Sequence, residues 1–511
     1  MAHAIGIDVG STNAKVVLVA DDGTLVARAS RPIPTRSAGE VAEQDPGALW
    51  SAVVDATRAV TSQHPGAAAE VTVVSTCSQY SSIVPVDGAG DPTADLVMYF
   101  DTRGTDHCLA VLERHPDSFV TWVERHGIPP IGSGLSLGHM LHLQLDRPDV
   151  HERTATWLEP MDFVNLRLTG RAAATQCTMF TGQLCDNRTL GTTGYDADLV
   201  AMSGVDADRL PELVPVDGVV GELRADIAAE LGLPAGALVP AGMNDSQAAA
   251  FATGAYAPDR AGLVIGTTAV LLDTTGRLDV DLDHEVLSMP SPVAGEYLVW
   301  AENGVAGKAV EHVLVDILHA VDELGDHASA DPFANLDTVL AVTGPGAGGV
   351  LFLPWMAGSF APAADRAVRG GFLNLSFDTR RVDLVRATVE GTAHNLAWLL
   401  PHVEAFSGKQ VGELVFGGGA ARSAGWSRVL ADVLDRPVRR LADPDHAVAR
   451  AVGLVGLVRA GVLTEDDVNR MVITTSVHEP DAGRHAVHAR LQEPFEAAFE
   501  ALRPVHHTLN G

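Results

Sequence analysis

The sequence predicts an α/β protein with two similarly built domains. Residues 6–15 read as an apolar strand, a Gly10-Ser11-Thr12 turn and a second strand. A strand–turn–strand unit of the same kind surrounds Gly266-Thr267-Thr268 in the second half of the chain. Two copies of one unit, in a chain of 511 residues, indicate two domains of related architecture. We place the boundary in the turn-rich segment 254–260, which gives domains of residues 1–254 and 255–511.

Further elements follow from local start and stop signals. Asp45 before Pro46 predicts the N-terminus of a first long helix, and Gly170 predicts the end of a later one. Residues 412–438 predict a strand, a glycine loop and an amphipathic helix. Residues 489–505 predict a terminal helix.

Charge and composition exclude several classes of partner. The net charge of −30 argues against nucleic acid and against an anionic membrane surface as partners. Four cysteines without a CxxC pair do not form a disulfide framework, so we expect a reducing, cytoplasmic location. No secretory leader and no membrane-spanning run is read from the sequence. A homodimer is one oligomeric state that the sequence leaves open.

The two glycine turns have the chemistry of phosphate-binding loops. A glycine turn between strands lets backbone N–H groups converge, and adjacent hydroxyls add donors for phosphate oxygens. Asp8 lies two residues before Gly10, where its carboxylate could hold a water of Mg²⁺. The alternative is a polar β-hairpin with Asp8 hydrogen-bonded locally. The Walker pattern GxxxxGK[ST] is absent.

Two further motifs can each be interpreted either as functional or as purely structural. Asp245 stands at a predicted helix start, where an Asp or Asn can cap the helix or an acid can act as a general base. The glycine loop at 417–419 lets a flat ring approach the backbone. Arg422 stands where a dinucleotide-binding GxGxxG loop needs its last glycine, so the alternative to nucleotide binding is a tight turn.

Five motifs occur in the order found in the FGGY carbohydrate kinases, and the chain resembles that family over nearly its whole length. They are Asp8-Val-Gly-Ser-Thr, Gly242-Met-Asn-Asp245, Ile265-Gly-Thr-Thr-Ala, Leu353-Pro-Trp-Met-Ala-Gly358 and the glycine loop up to Trp426. The resemblance implies a two-lobed actin-like, ribonuclease H-like ATPase fold with the active site in the inter-lobe cleft. It also implies ATP and Mg²⁺ as cofactors and a small sugar or polyol as substrate.

The resemblance assigns roles to particular residues of this chain. It implies that Asp245 is the catalytic base and that Asp8 is associated with the metal. Residues implied in nucleotide and phosphate binding are Gly10, Ser11, Thr12, Lys15, Gly266, Thr267, Thr268, Gly418, Gly419 and Ser423. Residues implied in substrate contact are Gln79, Tyr80, Ser81, Asp101, Arg103 and Ser246. For Asp101 and Arg103, a local ion pair on a loop is the alternative.

The likeness is nearest to the xylulokinase-like branch, which implies a pentulose-type sugar. Two departures concern the substrate loops: Gln79-Tyr80-Ser81-Ser82 stands where that branch usually has Gln-Met-His-Gly, and Ser246 stands where it often has Asn. A changed polar lining changes which hydroxyls are satisfied. Another ketopentose, a polyol or a sugar acid therefore stays open, as do a non-kinase actin-like ATPase and an inactive sugar-binding protein.

Overall fold

Two mixed β-sheets, one built mainly from each half of the chain, organise the computed structural model, which describes residues 1–511. The strands of the first half are β1 (His3–Val9), β2 (Asn13–Ala20), β3 (Leu25–Pro32), β4 (Arg36–Ala38), β5 (Val41–Gln44), β6 (Val71–Ser78), β7 (Val84–Val86), β8 (Leu96–Val97), β9 (Thr156–Leu158), β10 (Ala173–Ala174), β11 (Glu212–Leu213), β12 (Val219–Glu222), β13 (Leu238–Pro240) and β14 (Met243–Asn244). Those of the second half are β15 (Arg260–Ile265), β16 (Thr268–Thr275), β17 (Val280–Asp281), β18 (Val286–Pro290), β19 (Tyr297–Val305), β20 (Val321–Asp322), β21 (Gly325–Asp326), β22 (Leu351–Leu353), β23 (Gly371–Leu373), β24 (Glu413–Gly417), β25 (Val438–Leu441) and β26 (Thr474–His478).

Helices cover the sheets and connect their strands. In chain order they are α1 (Pro46–Gln63), α2 (Pro65–Ala68), α3 (Thr105–Arg114), α4 (Ser118–Arg125), α5 (Ser136–Leu145), α6 (Pro148–His151), α7 (Pro160–Thr169), α8 (Ala197–Ser203), α9 (Ala225–Leu231), α10 (Asp245–Thr253), α11 (Gly307–Glu311), α12 (Leu336–Val342), α13 (Arg381–Ser407), α14 (Ala424–Leu434), α15 (Ala447–Arg459), α16 (Glu465–Arg470) and α17 (Ala482–Asn510). None of them is both long and apolar enough to cross a lipid bilayer.

The two large sheets repeat one arrangement of five strands. The first sheet contains the order β13-β6-β1-β2-β3, and the second contains β25-β24-β15-β16-β19. In both sheets the central strand, β1 or β15, begins a run of three antiparallel neighbours, β1-β2-β3 or β15-β16-β19. The other two strands, β6 and β13 or β24 and β25, run parallel to the central strand. Each sheet lies against its own hydrophobic core of 33 buried residues. The predicted repetition of one α/β unit is therefore present in the structure.

The residues predicted to begin and end helices do so in the structure. The Asp45 carboxylate accepts a hydrogen bond of 2.8 Å from the Gly47 N–H, and Pro46 is the first residue of α1. Gly170 ends α7 in the left-handed conformation, with φ of 80°. The predicted terminal helix is longer than the pattern indicates, because α17 begins at Ala482.

Two helices cross between the lobes. Helix α10 leaves the first sheet and packs against β15 and β24, whereas α15 of the second half packs against β1 and β6. The α15 contact is close: a Cβ on Gly6 would lie 2.0 Å from the Ala449 carbonyl oxygen. The proposed domain boundary, between residues 1–254 and 255–511, falls in the turn after α10.

Candidate active site

Three adjacent parallel strands bring the acidic residues of the first lobe to one sheet edge. Asp8 on β1 pairs in register with Cys77 on β6, and Cys77 pairs with Met243 on β14. Strand β14 ends at Asn244, so Asp245 opens α10 at the edge where Asp8 lies. Parallel strands end at the same edge of a sheet. The topology therefore places two residues near each other that are far apart in the sequence.

Asp8 lies between a cation and a thiol. Its Oδ2 is 3.7 Å from Lys15 Nζ on β2, and its Oδ1 is 3.7 Å from Cys77 Sγ. Burial raises the pKa of Asp8, and the neighbouring Lys15 charge opposes that shift. Carboxylates are ligands that Mg²⁺ prefers, together with waters and substrate phosphates. The donor set at this edge thus fits a magnesium ion that also contacts a phosphate.

Asp245 is not the cap of its helix. That role belongs to Asn244, whose side-chain oxygen accepts from the Gln247 N–H at 2.8 Å, while the Gln247 side chain accepts from the Asn244 N–H at 3.1 Å. Because this capping box is complete, the Asp245 carboxylate is free to face the cleft. Burial, with the nearby negative charge of Asp8, raises the pKa of Asp245 to about 7. A carboxyl group with such a pKa can accept a proton near neutral pH.

The first glycine turn is held from behind by amide side chains. The Gly10 N–H donates to the Asn13 carbonyl at 3.0 Å, and the Ser11 carbonyl accepts from Gln44 Nε2 at 2.7 Å. Gln79 Nε2 in turn donates to Gln44 Oε1 at 2.9 Å. Gln79 is buried, so in this structure it positions the turn through Gln44 and does not line the cleft.

The second turn is also closed by a hydrogen bond from its glycine N–H, and it approaches two glycines. The Gly266 N–H donates to the Thr268 carbonyl at 2.9 Å. A Cβ on Gly307, at the start of α11, would lie 2.0 Å from the Gly266 carbonyl oxygen. Gly418 has φ of 81°, and a Cβ there would lie 2.4 Å from the Ile265 carbonyl oxygen. These contacts require glycine, and they bring the glycine loop against the second turn.

Two adjoining cavities connect these features. A cavity of about 400 Å³ lies between the lobes, and its lining includes Asp8, Gly10, Ser11, Thr12, Lys15, Asp245, Ser246, Gly266, Gly418 and Gly419. A second cavity of about 490 Å³ lies in the C-terminal lobe, and its lining includes Gly266, Thr267, Lys308, Asp337, Gly419, Ser423 and Trp426. Gly266 and Gly419 line both cavities. A Cβ on either would meet no atom within 4 Å, so these glycines leave the passage open.

Size and chemistry of the paired cavities fit a nucleoside triphosphate. The first offers backbone N–H groups from two turns, and the second offers the edge of Trp426 and a lined volume large enough for a nucleoside. Ser423 caps α14 by accepting from the Trp426 N–H at 2.9 Å, and it also donates to Asp337. Of the predicted phosphate residues, only Thr268 lines neither cavity. It is the first residue of β16.

The predicted substrate residues divide into two groups. Tyr80 and Ser246 lie beside each other and beside Asp245; burial first, and then the Asp245 charge, raises the pKa of the Tyr80 phenol. Ser81 has φ of 56°, a strained conformation for a non-glycine residue, and its carbonyl accepts from His139 Nε2 at 3.1 Å. A strained loop next to the acid is typical of a binding site.

Asp101 and Arg103 are not brought to the cavity that Asp245 lines. Asp101 is fully buried, and its carboxylate accepts from Arg103 Nη2 at 2.7 Å and from the Ala42 N–H at 2.8 Å. Arg103 also donates to Glu43 at 2.6 Å and lines a separate polar cavity of about 250 Å³. The local ion pair is therefore what the structure contains, and it fixes the loop that begins α3.

Two residues near the loop of Tyr80, Ser81 and Ser82 (the Tyr80 loop) carry no local sequence signal. Glu302 on β19 acts electrostatically on both Tyr80 and Tyr99, and burial raises its own pKa. Glu159, fully buried, accepts from the Ser82 N–H at 3.1 Å and from Ser136. Burial raises the pKa of Glu159 well above its ordinary value. Glu159 thus supports the Tyr80 loop from behind, and Glu302 of the other lobe lies close enough to act on the Tyr80 phenol.

Comparison with known proteins identifies the family. The sequence matches the N-terminal domain of the FGGY family of carbohydrate kinases over residues 3–252 and the C-terminal domain of that family over residues 261–458. The chain belongs to the FGGY family of carbohydrate kinases. The predicted family, the predicted two-domain α/β kinase fold and the predicted enzyme class are therefore confirmed for this FGGY kinase.

Relatives of this FGGY kinase carry two different substrate names. A xylulose kinase of Staphylococcus epidermidis is 24% identical over 506 residues, covering 98% of this chain and 97% of the relative. A gluconokinase of Bacillus subtilis is 23% identical over 502 residues, covering 94% of this chain and 92% of the relative. The crystal structure of a xylulose kinase from Rhodospirillum rubrum is 26% identical with a TM-score of 0.85, covering 99% of this chain and 100% of that one.

Proposed function

We propose that this FGGY kinase transfers the γ-phosphoryl group of ATP to a primary hydroxyl of a pentulose-type sugar. The observation that supports this function most is the inter-lobe cavity, which is lined by Asp8, Asp245 and both glycine turns. Phosphoryl transfer depends mainly on positioning and electrostatic stabilisation, and a carboxylate is needed to accept the hydroxyl proton. The xylulose kinases among the relatives support the pentulose as substrate class.

The residues of this chain divide the work between the two lobes. The N–H groups of the turns at Gly10 and Gly266 donate to the phosphate oxygens, and the pocket beside Trp426 holds the nucleoside. Asp8, with Lys15 beside it, would hold Mg²⁺, which would supply positive charge to offset the charge on the transferred group. Asp245 accepts the proton of the attacking hydroxyl as the phosphorus–oxygen bond to the leaving ADP breaks.

The lobes provide the means to exclude water. The Tyr80 loop belongs to the first lobe and Glu302 to the second, and the Glu302 charge lies close enough to contribute to the raised pKa of Tyr80. A sugar that hydrogen-bonds to both sides would draw the lobes together and expel water from the site. Closure of this kind limits wasteful hydrolysis of ATP. Membership of a carbohydrate kinase family argues against a non-kinase ATPase that uses its cleft only as a switch.

A sugar acid is the second candidate substrate. The gluconokinase relative covers this chain almost as fully as the xylulose kinase does. The Tyr80-Ser81-Ser82 loop and Ser246 replace the residues usual in the xylulokinase-like branch, which changes the polar lining. A site built to hydrogen-bond particular hydroxyls strongly rejects an analogue that lacks one of them, because buried polar groups of the site are then left unpaired. One substrate is therefore expected to dominate.

A substrate panel with a base variant tests the function. ADP formation is measured with D-xylulose, other pentuloses, gluconate and glycerol, each at several concentrations. We expect one compound to stimulate ADP formation strongly and Asp245→Asn to reduce turnover by about 10²–10⁴-fold while nucleotide affinity is retained. Asp55→Asn, an exposed acid on α1, is the matched control and should leave turnover unchanged. Unchanged turnover in Asp245→Asn would refute the assignment of the base.

A further inference from the structure

Outside the cleft, two helices of the first lobe bring three ligand-type side chains together. His107 lies on α3, His142 lies on α5, and Asp146 directly follows α5. His107 Nε2 is 2.7 Å from Asp146 Oδ2, and His142 Nδ1 is 2.8 Å from the same oxygen. Two imidazoles and one carboxylate therefore converge on one point of the surface.

We propose that this cluster binds a first-row divalent cation such as Zn²⁺ and links α3 to α5. Two imidazole nitrogens and one carboxylate oxygen suit Zn²⁺, whereas Mg²⁺ prefers oxygen ligands alone. Ligands at zinc distances of about 2.0–2.2 Å are spaced roughly 3.4 Å apart around a tetrahedral ion. Each N···O pair must widen slightly from the spacing seen here, and waters would complete the coordination.

The framework of the cluster is rigid, but its open side is accessible. A Cβ on Gly104 would lie 2.3 Å from the Gly138 carbonyl, so α3 and α5 touch backbone to backbone at their first turns. The side chains of His142, His107 and Asp146 are 7%, 23% and 46% exposed. The ion can therefore enter from the Asp146 side, and the half-exposed carboxylate can move to admit it.

The spacing of the helical pair adds geometric support. His142 and Asp146, the residue that caps the C-terminus of α5, are four residues apart, which places their side chains on the same side of the helix end. When His142 binds through Nδ1, its Nε2 carries the proton of the neutral ring. That nitrogen is buried and has no protein hydrogen-bond partner, so no protein contact opposes this tautomer.

A bound ion would act on the substrate side of the lobe. His139, one turn earlier on α5, holds the Ser81 carbonyl of the Tyr80 loop at 3.1 Å. Fixing α5 to α3 would therefore restrain the helix that carries this contact. The ion is proposed as structural, and its binding does not depend on the identity of the sugar.

Spectroscopic titration tests the cluster without reference to turnover. Untagged full-length protein, free of nucleotide and with excess Mg²⁺ present, is titrated with Co²⁺ and followed by its visible ligand-field absorption, then with Zn²⁺ as competitor. We expect one Co²⁺ per chain that Zn²⁺ displaces. Losing a residue that only orients a metal ligand weakens metal binding about 10–100-fold. His107 and Asp146 are proposed as ligands themselves, so His107→Gln and Asp146→Asn should weaken Co²⁺ binding at least about 100-fold.

Matched controls come from the same helix. His115→Gln and Asp106→Asn alter exposed residues at the end and the start of α3, and both should bind Co²⁺ like the wild type. Zn²⁺ should also raise the thermal midpoint of the wild type and the controls but not that of His107→Gln. Absence of Co²⁺ absorption in the wild type, or equal affinity in His107→Gln, would overturn the proposal. Both results are independent of whether any sugar is phosphorylated.

Discussion

Replacing Asp245 by asparagine should make the protein more stable above neutral pH while it removes catalysis. The pKa of Asp245 is raised from its ordinary value of 3.8 to about 7, chiefly by burial. At about 1.4 kcal/mol per pKa unit, the ionised carboxylate costs the folded state at most about 4 kcal/mol. Asparagine has a similar shape and carries no charge, so Asp245→Asn should remove this cost.

The sign of the pH dependence follows from the direction of the shift. A folded-state pKa above the unfolded value means that the native protein holds the proton more tightly. The cost is absent below about pH 4, grows between about pH 4 and 7, and is complete above pH 7. Hydrogen bonds from backbone N–H groups at the start of α10 favour the ionised carboxylate, and the pKa of about 7 already includes this opposing effect.

The assay compares thermal midpoints of Asp245→Asn and wild type at pH 4.5 and pH 8. We expect a higher midpoint for the variant at pH 8 and a much smaller difference at pH 4.5, together with the loss of turnover. If Asp245 were instead the helix cap, its replacement would destabilise by about 0.5–2 kcal/mol. A lower midpoint at pH 8 would therefore refute the assignment of Asn244 as the cap and of Asp245 as an acid whose ionised form is destabilised by burial.

Three further predictions test the cap, the glycine loop and the ionisation of the base. Asn244→Ala should lower stability by about 1–2 kcal/mol, measured by urea unfolding, and reduce turnover because α10 no longer starts at a fixed residue; unchanged stability would contradict the capping box. Gly419→Ala should weaken ATP binding without lowering the thermal midpoint, because its Cβ would enter an open cavity. Gly418→Ala should lower the thermal midpoint, because Gly418 has φ of 81° and its Cβ would clash with Ile265. The opposite pattern, with ATP binding measured by calorimetry and midpoints by thermal scans, would count against the loop geometry. The pH profile of kcat/KM should rise with pH through an apparent pKa near 7, because Asp245 must be ionised to accept a proton; a rate independent of pH from 5 to 8 would argue against it.

Local signals in the sequence were sufficient for the repeated units and the helix ends. A glycine turn between two apolar runs is a short-range pattern, so both strand–turn–strand units at Gly10 and Gly266 were predictable. The same holds for Asp45, which caps α1 through its own neighbouring backbone. At Asp245 the prediction of a helix start was correct, but the choice of cap between adjacent Asn and Asp residues depended on a capping box with Gln247.

Long-range packing could not be predicted from these patterns. Helix α15 lies in the second half of the chain, yet it packs on the first sheet, and only its small residues Ala449, Gly453 and Gly456 on one face signal a close approach. Glu159 and Glu302 come close to the Tyr80 loop only through tertiary packing, which leaves no signal in the neighbouring sequence. Asp101 and Arg103 were predicted to contact substrate, but their ion pair is satisfied within the first lobe.

A crystal structure of the complex with Mg²⁺, a non-hydrolysable ATP analogue and the sugar that stimulates turnover most would test the central claim directly. We predict that β- and γ-phosphate oxygens accept hydrogen bonds from the turns at both Gly10 and Gly266, and that an Asp245 oxygen lies within about 3.2 Å of the sugar hydroxyl facing the γ-phosphorus. Phosphates held by one turn only, or an Asp245 carboxylate directed away from the sugar, would contradict the account.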